Sequence, residues 1–381
     1  MVITFVDKNK IGWYKDGKKE LLDSDYIKSI ENSRNASKKA KKQYYEATES
    51  NKNVEVLLDY VIPCKDGKRC MYAVSVSEGR TGVSSIFYKD LLDPSEEDKL
   101  FFKNTVGQVK TIKEKDGELY ATLRSYNNGF SNWISVISKE GQVTEIETPF
   151  SCAENPTWND AGQLLFNAYE YGHNHYNGIK KYYIEPSLQL RFTDKKKPYY
   201  KYPYVAGMEN NTLIHRIKPL YDKDGNFYYI ERNDEPKKPS LFARIFYAEI
   251  QELIRKIKKN ITRVEGSEED KKTNNGAMVD KQTMWINHRR VNIKKEAKKN
   301  KKYKDLGFVP ASWALVKLSK GEKKVLAYGV ADYDIAYEKG KTRIVYTNGK
   351  QVFQLTDGEF DVKREALFET ERCVKLATLR E

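Results

Sequence analysis

The chain has 381 residues, 39% hydrophobic and 12% aromatic with 27 Tyr, enough to fill the core of one large all-β domain or two smaller ones. Its formal net charge of +14 admits an acidic partner, whether nucleic acid, an anionic membrane or an acidic protein. No apolar run nears the roughly 18 residues that cross a bilayer, no basic-then-apolar leader opens the chain, and four Cys are too few for a disulfide framework.

These features predict a cytoplasmic chain with reduced thiols, free to sit peripherally on a membrane. Cys64 and Cys70 flank the turn KDGKR, and a hairpin there could bring them face to face; the preferred reading leaves both as thiols. No CxxC or Cys/His spacing marks a metal site, and no GxSxG, P-loop or GxGxxG is present, so no cofactor is expected.

Residues 2–22 read as strand, turn, strand, with Asp16–Gly17 as the turn. Residues 24–53 are a polar excursion with Lys38, Lys39, Lys41 and Lys42 clustered. Short strands then recur in sets of four. The first set is Val54–Tyr60, Met71–Ser77, Ser85–Leu91 and Leu100–Phe102. The second is Val106–Lys113, Leu119–Ser125, Trp133–Ser138 and Val143–Glu147. The third is Glu154–Trp158, Leu164–Tyr171, Ile179–Ile184 and Leu188–Phe192. A fourth begins with Leu213–Tyr221 and Phe227–Arg232, is interrupted by 240–310, and resumes with Trp313–Leu318 and Lys324–Tyr328. The last set is Tyr333–Tyr337, Arg343–Thr347, Gln351–Leu355 and a strand near Phe360–Phe368.

Two stretches repeat the same unit. NPTWNDAGQLLF at Asn155–Phe166 and KPLYDKDGNFYY at Lys218–Tyr229 each run Pro, aromatic, polar turn with Gly, apolar strand. Five complete sets, plus a sixth assembled from the N-terminal hairpin and a C-terminal strand at 373–379, predict a six-bladed β-propeller closed by both termini. Seven blades is the alternative. With VFQLTDG at Val352–Gly358, these motifs resemble the TolB-type six-bladed propeller. That resemblance covers the repeat units, excludes 24–53 and 240–310, and implies architecture without chemistry. Members of that family include periplasmic scaffolds and propellers attached to peptidases.

The interrupting segment divides the chain into propeller 1–239, a helical Lys-rich insertion 240–310, and propeller 311–381. Ser240–Val264 has a helical apolar period with Arg255, Lys256, Lys258 and Lys259 on its other face: a basic amphipathic helix. It packs on the propeller in one reading and meets a membrane or partner groove in the other. KKEAKKNKKYK at 294–304 adds seven Lys, among them Lys294, Lys295, Lys298 and Lys299, in a run typical of a solvated, disordered face. Residues 24–53 carry +3 and residues 240–310 carry +9, which together hold nearly all of the +14. In a propeller both loops leave the same face, so the excess charge gathers there.

That asymmetry predicts a non-enzymatic scaffold whose basic face docks an anionic protein or membrane surface. Nucleic acid is less supported, because only Tyr303 interrupts the Lys run. The alternative is a propeller hydrolase or lyase with its site at the channel mouth. There Tyr169, Tyr171, His173 and His175 in YEYGHNHY form a polar ligand patch on a loop between a second and a third strand. DKDGN at 222–226 looks like part of a calcium loop, but a hairpin turn explains it fully.

Overall fold

Alternating apolar and polar residues, cut by left-handed turn residues, set most of the described residues into antiparallel strands. A computed structural model describes the chain except residues 33–53, 171–182, 234–282 and the short stretches 79–80, 105–106, 116–117, 126–132, 139, 148–151, 159–163, 195–196, 205–207, 210–211, 287–288, 304–305, 339–340, 358–361 and 380–381. The amphipathic pattern at 240–264 and the charged face at 38–42 therefore lie outside the described residues.

The N-terminus forms three strands where the pattern predicts two: β1 (Val2–Asp7), β2 (Lys10–Lys15) and β3 (Lys18–Leu22). Lys8 at φ 58° and Gly17 at φ 83° supply the positive dihedrals that these two tight turns need. A helix, α1 (residues 25–32), follows. Ser24 caps it, its Oγ accepting from Ile27 N at 3.2 Å.

Four-stranded sheets come next. The second holds β4 (Val54–Pro63), β5 (Arg69–Glu78), β6 (Thr81–Asp90) and β7 (Lys99–Asn104). The third holds β8 (Gly107–Lys115), β9 (Glu118–Ser125), β10 (Trp133–Ile137) and β11 (Val143–Glu147). The fourth holds β12 (Cys152–Trp158), β13 (Leu164–Glu170), β14 (Tyr183–Asp194) and β15 (Lys197–Tyr204). Here the expected register fails. Ile184 and Leu188–Phe192, expected in separate strands, lie in one long β14 with irregular pairings, while 179–182 lie outside the described residues. Pro186 is accommodated at such an irregularity.

The fifth sheet holds β16 (Met208–Glu209), β17 (Thr212–Tyr221), β18 (Phe227–Asn233), then, after the insertion, β21 (Trp313–Ser319) and β22 (Glu322–Tyr328). The insertion thus enters between the second and third long strands, as its position predicts. Within it lie the hairpin β19 (Thr283–Ile286) and β20 (Arg289–Asn292) and the helix α2 (Ile293–Asn300). The sixth sheet holds β23 (Asp332–Glu338), β24 (Lys341–Thr347), β25 (Gln351–Asp357) and β26 (Val362–Glu369). The last strand, β27 (Cys373–Thr378), joins β1 to complete the first sheet in the order β27-β1-β2-β3. Both termini therefore share one sheet.

The apolar faces pack sheet on sheet. Val6, Ile11 and Trp13 meet Val61, Tyr72 and Val74 of the second sheet. Its other face sends Tyr60, Ile62 and Met71 against Val109 and Ile112 of the third. Ile3 and Phe5 meet Val345 and Val352 of the sixth, and Ile230, Trp313 and Leu315 of the fifth meet Tyr333, Ile344 and Tyr346 of the sixth. Cys64 and Cys70 fall into different clusters. The register explains it: Pro63 pairs with Cys70 and Cys64 N bonds Arg69 O, so the two thiols point to opposite faces and do not face each other.

One strand of each of the six larger sheets meets its counterpart in a neighbouring sheet: β4, β8, β12, β17, β23 and β27. β4 touches β27 and β8, β8 touches β12, β12 touches β17, and β23 touches β27. Most of these strands carry a bulge near mid-length. The pairing skips at Asp59 in β4, at Lys110 in β8, at Asn155–Pro156 in β12 and at Lys218–Pro219 in β17. The repeated Pro of the two copies is thus a bulge residue. It has no N–H to give a ladder, and a bulge on an edge strand asks for none.

Candidate functional site

The bulge in β17 gives Lys218 a φ of 53°, a conformation that is costly for a side chain other than Gly, Asn or Asp. Its side chain is buried, and its Nζ donates to Asp332 Oδ1 of β23 at 2.8 Å and to Leu376 O of β27 at 3.4 Å. Tyr333 Oη donates to Lys218 O at 2.6 Å. Burial works to lower the Lys218 pKa, but the charge of Asp332, then Tyr60 and Asp334, outweighs it and holds the ammonium above its ordinary range. Tyr60 belongs to β4. One lysine of β17 therefore bonds β23 and β27 and is electrostatically linked to a residue of β4.

The two aspartates of the DYD stretch do a second job. Leu376 N and Thr378 N lie on the side of β27 turned away from β1, where no strand pairs. Asp332 Oδ2 accepts from Leu376 N at 2.8 Å, and Asp334 Oδ2 accepts from Thr378 N at 2.8 Å and Thr378 Oγ1 at 3.2 Å. Carboxylates thereby satisfy edge donors that would otherwise be buried without partners. Motif reading missed this cluster. Its signal was an alternation, since Asp332 and Asp334 stand two apart on a strand with apolar neighbours and so share one buried face.

A second buried cluster fastens α1. Lys89 Nζ pairs with Asp98 Oδ1 at 2.7 Å, both nearly solvent-free, and Tyr72 Oη donates to Asp98 Oδ2 at 2.5 Å. Ser24 Oγ lies 2.9 Å from Tyr72 Oη, and Asp25 N donates to Asp98 Oδ2 at 2.8 Å. Burial, reinforced by the Asp98 bond, pushes the Tyr72 phenol far above its usual range and keeps it protonated. A third chain links neighbouring sheets: Ser75 Oγ bonds Asp59, Ser75 Oγ lies 2.9 Å from Ser84 Oγ, and Val109 N donates to Ser84 Oγ at 3.2 Å.

The sequence-predicted residues divide. Tyr169 sits in β13, opposite Cys152 and Ile184. Tyr171, His173 and His175 lie outside the described residues, between the end of β13 and the start of β14, which is the second-to-third-strand position expected. Lys38, Lys39, Lys41, Lys42, Arg255, Lys256, Lys258 and Lys259 are also outside the described residues. Lys294, Lys295, Lys298 and Lys299 are exposed on α2, an ordered helix where a disordered run was predicted. Asn292 caps it by accepting from Lys295 N at 2.9 Å. Ile293 and Ala297 join the apolar core on its inner face beside the β19–β20 hairpin, and buried Asn300 bonds Gly307 O and Val309 O.

Asp222 is the hub of the DKDGN turn. Its carboxylate accepts from Asp224 N, Asn226 N, Asn226 Nδ2 and Tyr228 Oη at 2.8 to 3.0 Å, and Gly225 takes φ 74°. Those donors occupy it as a hairpin turn. Among the described residues no three His, Cys, Asp or Glu side chains cluster as metal ligands, and no helix is long and apolar enough to cross a membrane. Two open clefts are present. One, of about 550 Å³, lies between Leu306–Gly307 and the β25 end of the sixth sheet, and the other, of about 630 Å³, runs along α2.

No protein-family model matches the sequence, and no curated protein does. Solved structures match at low identity. A candidate 6-phosphogluconolactonase from Bacteroides fragilis NCTC 9343 is 10% identical over 98% of this chain and 96% of its own, with a TM-score of 0.42. Another candidate 6-phosphogluconolactonase, from Bacteroides uniformis ATCC 8492, is 10% identical over 98% of each chain, with a TM-score of 0.44. Oligopeptidase B from Leishmania major is 10% identical over 97% of this chain and 48% of its own, with a TM-score of 0.35. The expectation of a non-enzymatic scaffold is corrected by these matches, whose names are those of hydrolases, and it is not retained. The chain is built mostly of antiparallel strands, and its structural neighbours include propeller-type proteins.

Proposed function

We propose that the six sheets close into a six-bladed propeller of the TolB type, and that the chain is a hydrolase of a small ester or lactone with its site at the mouth of the central channel. The observation that carries the reading is the buried cluster around Lys218, whose ammonium bonds residues of β23 and β27 from β17. In a closed ring those strands line the channel, and a lysine that joins them narrows the passage.

At that mouth Tyr171, His173 and His175 supply the chemistry. One imidazole takes a proton from water as the water oxygen bonds the acyl carbon. The acyl C–O bond breaks, and the leaving alkoxide receives a proton from the other imidazole or from solvent. An unperturbed His titrates near 6.5, which suits this exchange at neutral pH. The test is hydrolysis of a panel of aldonolactones and p-nitrophenyl esters by the purified chain, beside His173→Ala and His175→Ala. The reading expects turnover that falls about 10²-fold or more in at least one variant, the usual scale for acid–base groups. Absence of turnover across the panel, or turnover in both variants equal to that of the unaltered chain, overturns it.

A further inference from the structure

We infer that the cleft along α2 is a binding site for a small molecule carrying a di- or polyphosphate, separate from the channel mouth. The cleft of about 630 Å³ has the size of small-ligand sites. Lys295, Lys299 and Lys302 line it, with Asn292, Tyr303 and Ser312 as further polar groups. Glu296 is the acidic residue in its wall, and it bonds Lys299 Nζ at 2.9 Å, which fixes that ammonium in place. Lys302 Nζ stands 5.1 Å from the Tyr303 ring centroid, over its face.

Glu296 in the first turn and Lys298 and Lys299 in the last suit the helix dipole, but the two lysines at its start do not. Lys294 and Lys295 occupy the first turn, where the peptide dipoles already leave positive charge. Lys294 and Lys298, and Lys295 and Lys299, repel one another one turn apart. A free tail would let these groups spread. Here Ile293 and Ala297 pack on the core, and Asn300 Nδ2 donates to Gly307 O at 3.0 Å and Val309 O at 2.9 Å, so the helix backbone that carries the lysines is held in place. Lysines rooted on a held helix beside a cleft match the closely spaced charges of a diphosphate, which relieves the repulsion on binding.

Calorimetric titration of the full chain with inorganic pyrophosphate at low salt tests this, with ADP as a second arm. Saturable one-site binding is expected, weakened at least tenfold in Lys295→Gln/Lys299→Gln and within twofold in Lys294→Gln/Lys298→Gln, whose lysines do not line the cleft. All four positions are exposed, and unchanged melting temperatures confirm that each variant folds. Tighter ADP than pyrophosphate shows that the organic part also docks; equal affinities show that phosphate alone is read. No saturable binding, or equal loss in the two double variants, overturns the site.

Discussion

Lys218 concentrates the physics of this molecule in one side chain. A buried ammonium is tolerable only because Asp332 neutralises it and Leu376 O accepts from it. Replacing it by Met strands the Asp332 charge, and the expected loss is about 3–5 kcal/mol in a urea unfolding curve. Lys218→Met/Asp332→Asn, which removes both charges yet keeps an acceptor for Leu376 N, should recover most of that loss. A double variant no better than the single one would show that the ion pair is not the cause. The pH dependence has a definite sign. The folded pKa of Lys218 lies above its unfolded value, so its contribution is complete below the unfolded lysine pKa of about 10.4 and fades only as pH climbs through the raised value. The gap between wild type and variant should stay level from pH 6 to 9.

At the scale of elements, the recurrent bulge and the insertion both follow from local rules. Pro156 and Pro219 sit where two residues of an inner strand oppose one of its neighbour, so the missing N–H is harmless. The described part of the insertion, 283–310, adds Met284, Ile286, Val291, Ile293, Phe308 and Val309 to the core of the fifth and sixth sheets. Deleting all of 240–310 would therefore open that core, and a shorter cut within 240–282 is the cleaner probe of the amphipathic segment. Asn300→Ala tests how α2 is pinned. Losing the bonds to Gly307 O and Val309 O leaves buried carbonyls short of a donor and should cost about 2 kcal/mol, read as a lowered melting temperature. Unchanged stability would show that the apolar contacts of Ile293 and Ala297 suffice.

For the whole molecule the decisive joint is the one between its ends. β27 pairs with β1 and presents its other edge to Asp332 and Asp334, while Asp7 accepts from Glu371 N and Arg372 N at 2.7 to 3.1 Å. A chain ending at residue 371 exposes the β1 edge and leaves both aspartates without their N–H partners. It should lose cooperative unfolding by circular dichroism and associate in size-exclusion runs. A synthetic peptide of residues 372–381 added in trans should restore the transition. A truncated monomer that melts like wild type would refute a clasp at this point.

The sequence by itself determined most of the strands, their recurrence in four-stranded sheets and the pairing of the two ends of the chain. The first two depend on short-range periodicity and turn chemistry, which neighbours in the chain decide, and the third follows from an incomplete set at each end. It failed where Ile184 and Leu188–Phe192 were assigned to separate strands, where β3 was counted as part of a two-stranded hairpin, and where a lysine run looked unstructured; in each case packing or register outweighed local composition. The Lys218–Asp332–Asp334 cluster was decided only by the tertiary structure, because Lys218 stands 114 positions from Asp332 and only the packing of separate sheets brings it to the two aspartates. The same holds for the α2 cleft. A row of lysines is visible in the sequence, but a helix fixed by Asn300 beside Pro310–Ser312 is what turns that row into a wall with an opposite side.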